Sequence, residues 1–272
     1  PHRVGPSIVT FPSSDLVYKE PYGTVLVIGT GDNLGAAIVR RFAREGLHVV
    51  AARRRGDMSD LIADVRAAGG AATAIHAEAR DEEAVRDLVV RTESIGPMTA
   101  CIFNVGGNVR FPIAETTTQV YRKVWEMCAL AGFLVGREAA GPMRERGKGA
   151  ILFTGASASL RGAAGFAAFS GGKQALRALA QSMARELGPE GVHVAHVVID
   201  GLIDSPTTKE LFREMFDARG PDGVLRPDDI AEAYWTLHGQ PRSACTIERT
   251  PESVVPSAWA PWAVTTTTQN NS

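Results

Sequence analysis

Short β-branched runs alternate with amphipathic stretches from residue 24 to residue 249, and glycine punctuates many of the junctions. Thr24–Thr30, His48–Ala52, Ala71–Ala77, Met98–Val105, Ala150–Gly155 and Val192–Ile199 read as buried strands, with a last short strand over Ala244–Arg249. Between them, Leu34–Glu45, Asp57–Ala68, Asp81–Glu93, Thr117–Ala140, Ser170–Leu187 and Asp228–His238 carry the spacing of helices. Leu176, Leu179, Met183 and Leu187, for example, share one face. Gly46, Gly69-Gly70, Gly141-Pro142 and Gly188-Pro189 are expected to stop helices. Strands separated by helices pair in parallel and need cover on both faces. The expected fold is therefore α/β, a Rossmann-type doubly wound parallel sheet in a single domain.

That domain is expected over residues 23–255, with 1–22 as a proline-bearing extension and 256–272 as a polar tail. Residues 202–226, with a helical excursion near 205–219, interrupt the alternation. A formal net charge of -1 gives no reason to expect a nucleic acid or an anionic membrane surface as partner. No apolar run reaches spanning length, so no membrane is expected. Cys101, Cys128 and Cys245 lack both disulfide and metal spacing, which points to a reducing cytoplasmic setting and no metal.

Gly29-Thr30-Gly31-Asp32-Asn33-Leu34-Gly35 lies between the first strand and the first helix. Glycines there let backbone approach a pyrophosphate, and the helix start offers unpaired N–H donors. Gly29, Gly31, Asn33, Leu34 and Gly35 are thus expected to hold a dinucleotide. The second strand ends in Ala51-Ala52-Arg53-Arg54-Arg55, without the carboxylate that would accept from a ribose 2′-hydroxyl. A guanidinium there suits a 2′-phosphate, so NADP(H) is expected, chiefly through Arg53. Arg54 and Glu78 are counted with the cofactor contacts.

Four segments make the chain resemble the short-chain dehydrogenase/reductase family from about Gly23 to Arg249. They are the glycine loop, with Asn33 for the usual second glycine; Asn104-Val105-Gly106, similar to the family's Asn-Ala-Gly; Phe169-x-x-x-Lys173 at its Tyr-x-x-x-Lys; and Asp200-Gly201 with Ser205, similar to its Pro-Gly and following Thr. The resemblance implies cofactor contacts from Asn104, Gly106, Lys173 and Gly201. It also implies a substrate lid over 202–226, where Leu211, Phe212, Met215 and Phe216 can cover an apolar substrate or pack on the core. A homodimer or homotetramer built on the two long helices is a further implication.

The catalytic positions depart from the family. Phe169 stands for the tyrosine, Ala156 for the serine and Cys128 for the helix asparagine, while Lys173 is kept. Ser157 is one residue from register, and Asp200 puts a carboxylate where the family has proline. Arg161 can meet an anionic substrate or lie in a solvated turn. The leading expectation is an NADP(H)-dependent oxidoreductase for a small organic carbonyl or alcohol, with Lys173, Ser157, Phe169 and Asp200 at the reacting centre. Two alternatives stay open: a non-redox dehydratase, isomerase or cyclase, and a catalytically silent NADP-binding regulator. Tyr121 and Tyr234 are not expected near the nicotinamide, and His196 and Cys128 are expected in the core.

Overall fold

A computed structural model describes residues 23–220 and 222–251. The expected extension (1–22) and tail (256–272) lie outside the described residues. Seven strands form one parallel sheet: β1 (Thr24–Ile28), β2 (His48–Arg53), β3 (Ala71–His76), β4 (Met98–Phe103), β5 (Gly149–Thr154), β6 (Val192–Val197) and β7 (Glu248–Arg249). Their order is β3-β2-β1-β4-β5-β6-β7, so the chain reverses direction across the sheet after β3 and returns on the other side of β1. The carboxyl ends of β1 and β4 therefore flank a crevice, where ligands of open parallel sheets bind.

Side-chain alternation explains why both faces need helices. In β1, Val25 and Val27 join a core with Ile38 and Phe42 of α1 (Leu34–Arg44) and Tyr234 of α9 (Pro227–His238). Leu26 and Ile28 point the other way, into a core with Leu88 of α3 (Glu82–Ile95), Leu134 of α5 (Ala131–Arg146) and Leu176 of α6 (Ala167–Leu187). The helix α2 (Ser59–Ala67) packs beside β3, with Ile62 and Val65 buried.

Several boundaries differ from the sequence pattern. The long helix is three pieces: α4 (Thr118–Trp125), a π-helical turn over Glu126–Leu130, and α5. Gly141-Pro142 does not end α5. Buried Ala139, Ala140 and Met143 anchor the turns on both sides of the proline, and the helix stops at Gly147, which is left-handed at φ 61°. The α6 helix starts three residues earlier than its apolar stripe suggests, which places Phe169 and Lys173 one turn apart on the same helix. Pairing in the last strand shrinks to Glu248 and Arg249, after a 3-10 turn at Arg242–Ala244. The excursion after β6 forms α7 (Pro206–Leu211) and α8 (Arg213–Asp217).

Buried polar links tie helices to the sheet. The hydroxyls of Thr154 on β5 and Tyr234 on α9 share a hydrogen bond of 2.6 Å. Removing one hydroxyl strands the other in the core, so Tyr234→Phe is expected to lower the unfolding free energy by about 1–2 kcal/mol in urea denaturation.

His196 on β6 is fully buried; its Nδ1 lies 3.3 Å from Glu248 Oε2, and its Nε2 has no partner. Glu248 in turn accepts from Arg177 of α6 at 2.5 and 2.8 Å. Burial, reinforced by the Lys173 and Arg177 charges, pushes the His196 imidazole down to about 4. The folded protein then binds fewer protons than the unfolded chain below pH 6.5, so stability falls as pH drops from 6.5 toward 4. This single group contributes on the order of 2–3 kcal/mol to that fall. His196→Gln should flatten the slope when unfolding free energy is measured across that range.

Candidate active site

The glycine loop is built by close backbone approach. Gly29 has φ 85°, and a side chain there would meet the Asn104 carbonyl at 2.5 Å. A Cβ at Gly35 would sit 2.7 Å from the Thr30 backbone. These two glycines are therefore fixed by packing. Gly31 and Gly106, in contrast, face open space, which leaves room for phosphates at the start of α1. Asn33 needs no glycine conformation, with φ -105°, and its side chain does not cap the helix. The first turn of α1 holds no acidic residue, and the carboxylate just before its N-cap, Asp32, is paired with Arg53. Asn104 donates from Nδ2 to the Gly29 carbonyl at 3.1 Å, and its own N–H donates to Ile28 at 2.7 Å, locking the ends of β1 and β4 together.

At the end of β2, Arg53 donates to Asp32 at 2.7 Å, to the Gly56 carbonyl at 3.2 Å and to the Asp57 carbonyl. It is thus brought to the glycine loop and engaged with a carboxylate there. Arg54 reaches Glu78 at 3.4 Å, and Arg80 holds the same carboxylate at 2.8 and 3.0 Å. Those cations keep Glu78 down at about 2. Glu78 is therefore a binder of two arginines in this structure.

The catalytic positions converge beyond β4, β5 and β6. Lys173 is only 3% exposed. Its ammonium donates to the Thr154 carbonyl at 2.7 Å and the Val105 carbonyl at 3.2 Å, joining α6 to the ends of β5 and β4. Burial pushes this ammonium below the ordinary lysine value, with a partly opposing influence from Cys128. Its Nζ lies 5.9 Å from the centre of the Phe169 ring, where a phenol would otherwise stand. Cys128 occupies the π-helical turn, fully buried, and packs against Gly172.

Two departures from the family pattern meet each other. Ser157 begins a 3-10 turn after β5, and Asp200 follows β6. The Ser157 hydroxyl donates to Asp200 Oδ1 at 2.5 Å, and Arg161 reaches the same carboxylate at 3.2 and 3.3 Å. Sequence spacing alone could not pair residues 43 apart, because that contact depends on the β5–β6 register.

A cavity of about 650 Å³ opens at this point. Ser157, Phe169, Ser170 and Gly201 line it, with Phe212 and Met215 from the lid segment. Ser205 caps α7, accepting from the Thr208 N–H at 3.1 Å, and a bridge between Ile203 and Leu225 closes the base of the lid. Tyr121 is away from this centre: its hydroxyl lies against Gly171, nearly opposite Phe169 on α6. Tyr234 is buried, and its hydroxyl is bonded to that of Thr154, whose carbonyl accepts from Lys173. The charged residue that the pattern did not single out is Arg110, which also lines the cavity. Its only sequence signal is a basic residue soon after the Asn104-Val105-Gly106 segment.

No cluster of potential metal ligands occurs among the described residues, and no described helix is long and apolar enough to cross a membrane. The family profile described as short chain dehydrogenase matches residues 23–215. The chain is 31% identical over 222 residues to 1-deoxy-11-beta-hydroxypentalenate dehydrogenase of Streptomyces exfoliatus, covering 80% of each protein. It is equally 31% identical, over 80% of its length and 84% of the other, to the cyclic-di-GMP-binding biofilm dispersal mediator protein of Escherichia coli K12. A solved short-chain dehydrogenase from Rhodopseudomonas palustris is 47% identical and superposes with a TM-score of 0.73, over 85% of this chain and 98% of that one. The glycine cradle at the sheet crossover, the buried lysine one turn beyond position 169 and these likenesses agree: this chain belongs to the short-chain dehydrogenase/reductase family of nicotinamide-dependent oxidoreductases.

Proposed function

We propose that the protein is an NADP(H)-dependent oxidoreductase that interconverts an alcohol and a carbonyl on a small organic molecule, with Ser157 and Asp200 replacing the missing phenol as proton carrier. The observation that carries this reading is the 2.5 Å hydrogen bond from Ser157 to Asp200 on the wall of the cavity. When bound, the nicotinamide supplies or accepts the hydride. Gly29, Gly31, Asn33, Leu34, Gly35, Asn104 and Gly106 would hold the dinucleotide, and Gly201 and Lys173 would serve its nicotinamide and ribose end.

In alcohol oxidation, the substrate hydroxyl gives its proton to Ser157 Oγ while the serine proton passes to Asp200 Oδ1. Reduction runs the same transfers in reverse, so the forming alkoxide is protonated by Ser157 and the serine by Asp200. Arg161 keeps the aspartate aimed at the serine by its ion pair at 3.2 Å. Phe169 then acts as an apolar wall that excludes water from the reacting atoms. Ser157→Ala and Asp200→Asn are each expected to lower kcat by roughly tenfold or more at unchanged cofactor affinity. An unchanged kcat in either variant removes that residue from the mechanism.

For the cofactor, Arg53 would exchange its Asp32 partner for a 2′-phosphate, with Arg54 as second cation. Replacing Arg53 by Asp should weaken NADPH binding far more than NADH binding in calorimetric titrations. Asp32→Asn should strengthen NADPH selectively, because it removes the competing carboxylate. Equal effects on both nucleotides would overturn the NADP assignment.

A second reading, a silent nucleotide-binding regulator, has its own support. The Lys173 ammonium is engaged by two carbonyls, position 169 carries no hydroxyl, and the E. coli relative is named for ligand binding and for mediating dispersal. Tight NADPH binding without turnover across a broad carbonyl panel would select it. In either reading we place a homo-oligomer interface on α4 and α5, where Tyr121, Trp125 and Phe133 are exposed. Light scattering would read its stoichiometry.

A further inference from the structure

We propose that the cavity selects molecules with an apolar body and a carboxylate, and that Arg110 is the residue that reads the carboxylate. This deepens the reading above by naming a substrate class, and it rests on the same cavity.

The walls set the first half of the argument. Ile199, Leu202, Phe166, Phe169, Phe212 and Met215 give the cavity a largely hydrocarbon lining. Such a site recognises its ligand's body by burial and its orientation by a few polar groups. Two charged residues line it, Arg110 and Arg161, and no acid does. Arg161 is paired with Asp200. Arg110 makes no hydrogen bond or ion pair among the described residues. One uncompensated cation thus faces an apolar space.

The second half is that Arg110 is held in place. The Phe111 N–H donates to the Gly165 carbonyl at 2.8 Å, pinning the segment after β4 to the one that precedes α6. Gly165 has φ 82°, and its bare Cα leaves the space over which the arginine lies. An added Cβ would meet Arg110 Cγ at 3.1 Å and Nε at 3.4 Å. A long side chain restrained along its stem forfeits less rotamer entropy when its head group is engaged. The guanidinium fork fits a carboxylate with two parallel hydrogen bonds. A phosphate dianion would call for more positive charge than one unpaired arginine provides. Ser157 and Arg110 line the same cavity, so a single molecule presents its hydroxyl or carbonyl to the one and its carboxylate to the other.

Calorimetric titration of the protein with 2-naphthoate and with 2-naphthamide tests this directly, since both share an apolar body and differ in charge. The acid is expected to bind roughly tenfold or more tightly than the amide. In Arg110→Gln that preference should disappear while amide affinity stays the same, and in Arg110→Lys part of it should return. Arg110 is exposed, so these variants retain the fold, and melting curves verify it. Equal affinity of the wild-type protein for both probes overturns the proposal, as does binding of neither. A preference that survives in Arg110→Gln also overturns it and transfers the role to Arg161. Binding needs no turnover. A carboxylate preference without any oxidation or reduction would leave this proposal standing and remove the oxidoreductase reading instead.

Discussion

The site depends on one buried cation. Lys173 sits inside the protein with its ammonium shared between the carbonyls of Thr154 and Val105. An unpaired charge at that depth would cost several kcal/mol, so the two carbonyls are a condition for the helix to lie where it does. They belong to the carboxyl ends of β5 and β4, neighbouring strands of which β4 borders the crossover. The consequence is a fixed distance between the first turns of α6 and the carboxyl edge of the sheet. Phe169, Ser170 and the wall of the cavity inherit their positions from that distance. Thr154 extends the constraint further, because its hydroxyl is bound to Tyr234 of α9 on the opposite side of the sheet.

The side chains around this anchor depart from the family pattern. Where the family places a phenol beside the lysine, this chain has an apolar ring. A hydroxyl bonded to a carboxylate, Ser157 to Asp200, stands at the same cavity. In the reading proposed above, that pair takes over the role of the phenol. The π-helical turn at Glu126–Leu130 places Cys128, fully buried, against Gly172 of α6.

Much of the fold was legible because hydrophobic periodicity reports burial directly. The apolar run of β1 and the stripe on α6 both marked elements that the structure contains. What failed were boundaries governed by packing. Gly141-Pro142 reads as a helix end by local preference, yet buried neighbours on each side carry α5 through it. The candidate site was legible where the backbone dictates the residue, as at Gly29 and Gly35, whose side-chain-free Cα atoms are required by contacts under 3 Å. It was not legible where long-range register brings side chains together. The Ser157–Asp200 bond, the Arg53–Asp32 pair and the Arg110–Gly165 contact join segments 43, 21 and 55 residues apart.

By itself the sequence determined the class of fold, the place of the nucleotide loop and the absence of the phenol from position 169. These are properties of local spacing and residue identity, which the chain carries whether folded or not. Tertiary structure alone decided that Ser157 meets Asp200 and that Arg110 is the cavity-lining arginine without an ion pair among the described residues. Both outcomes depend on the sheet register and on the burial of Lys173, and neither is encoded in any short stretch of the chain.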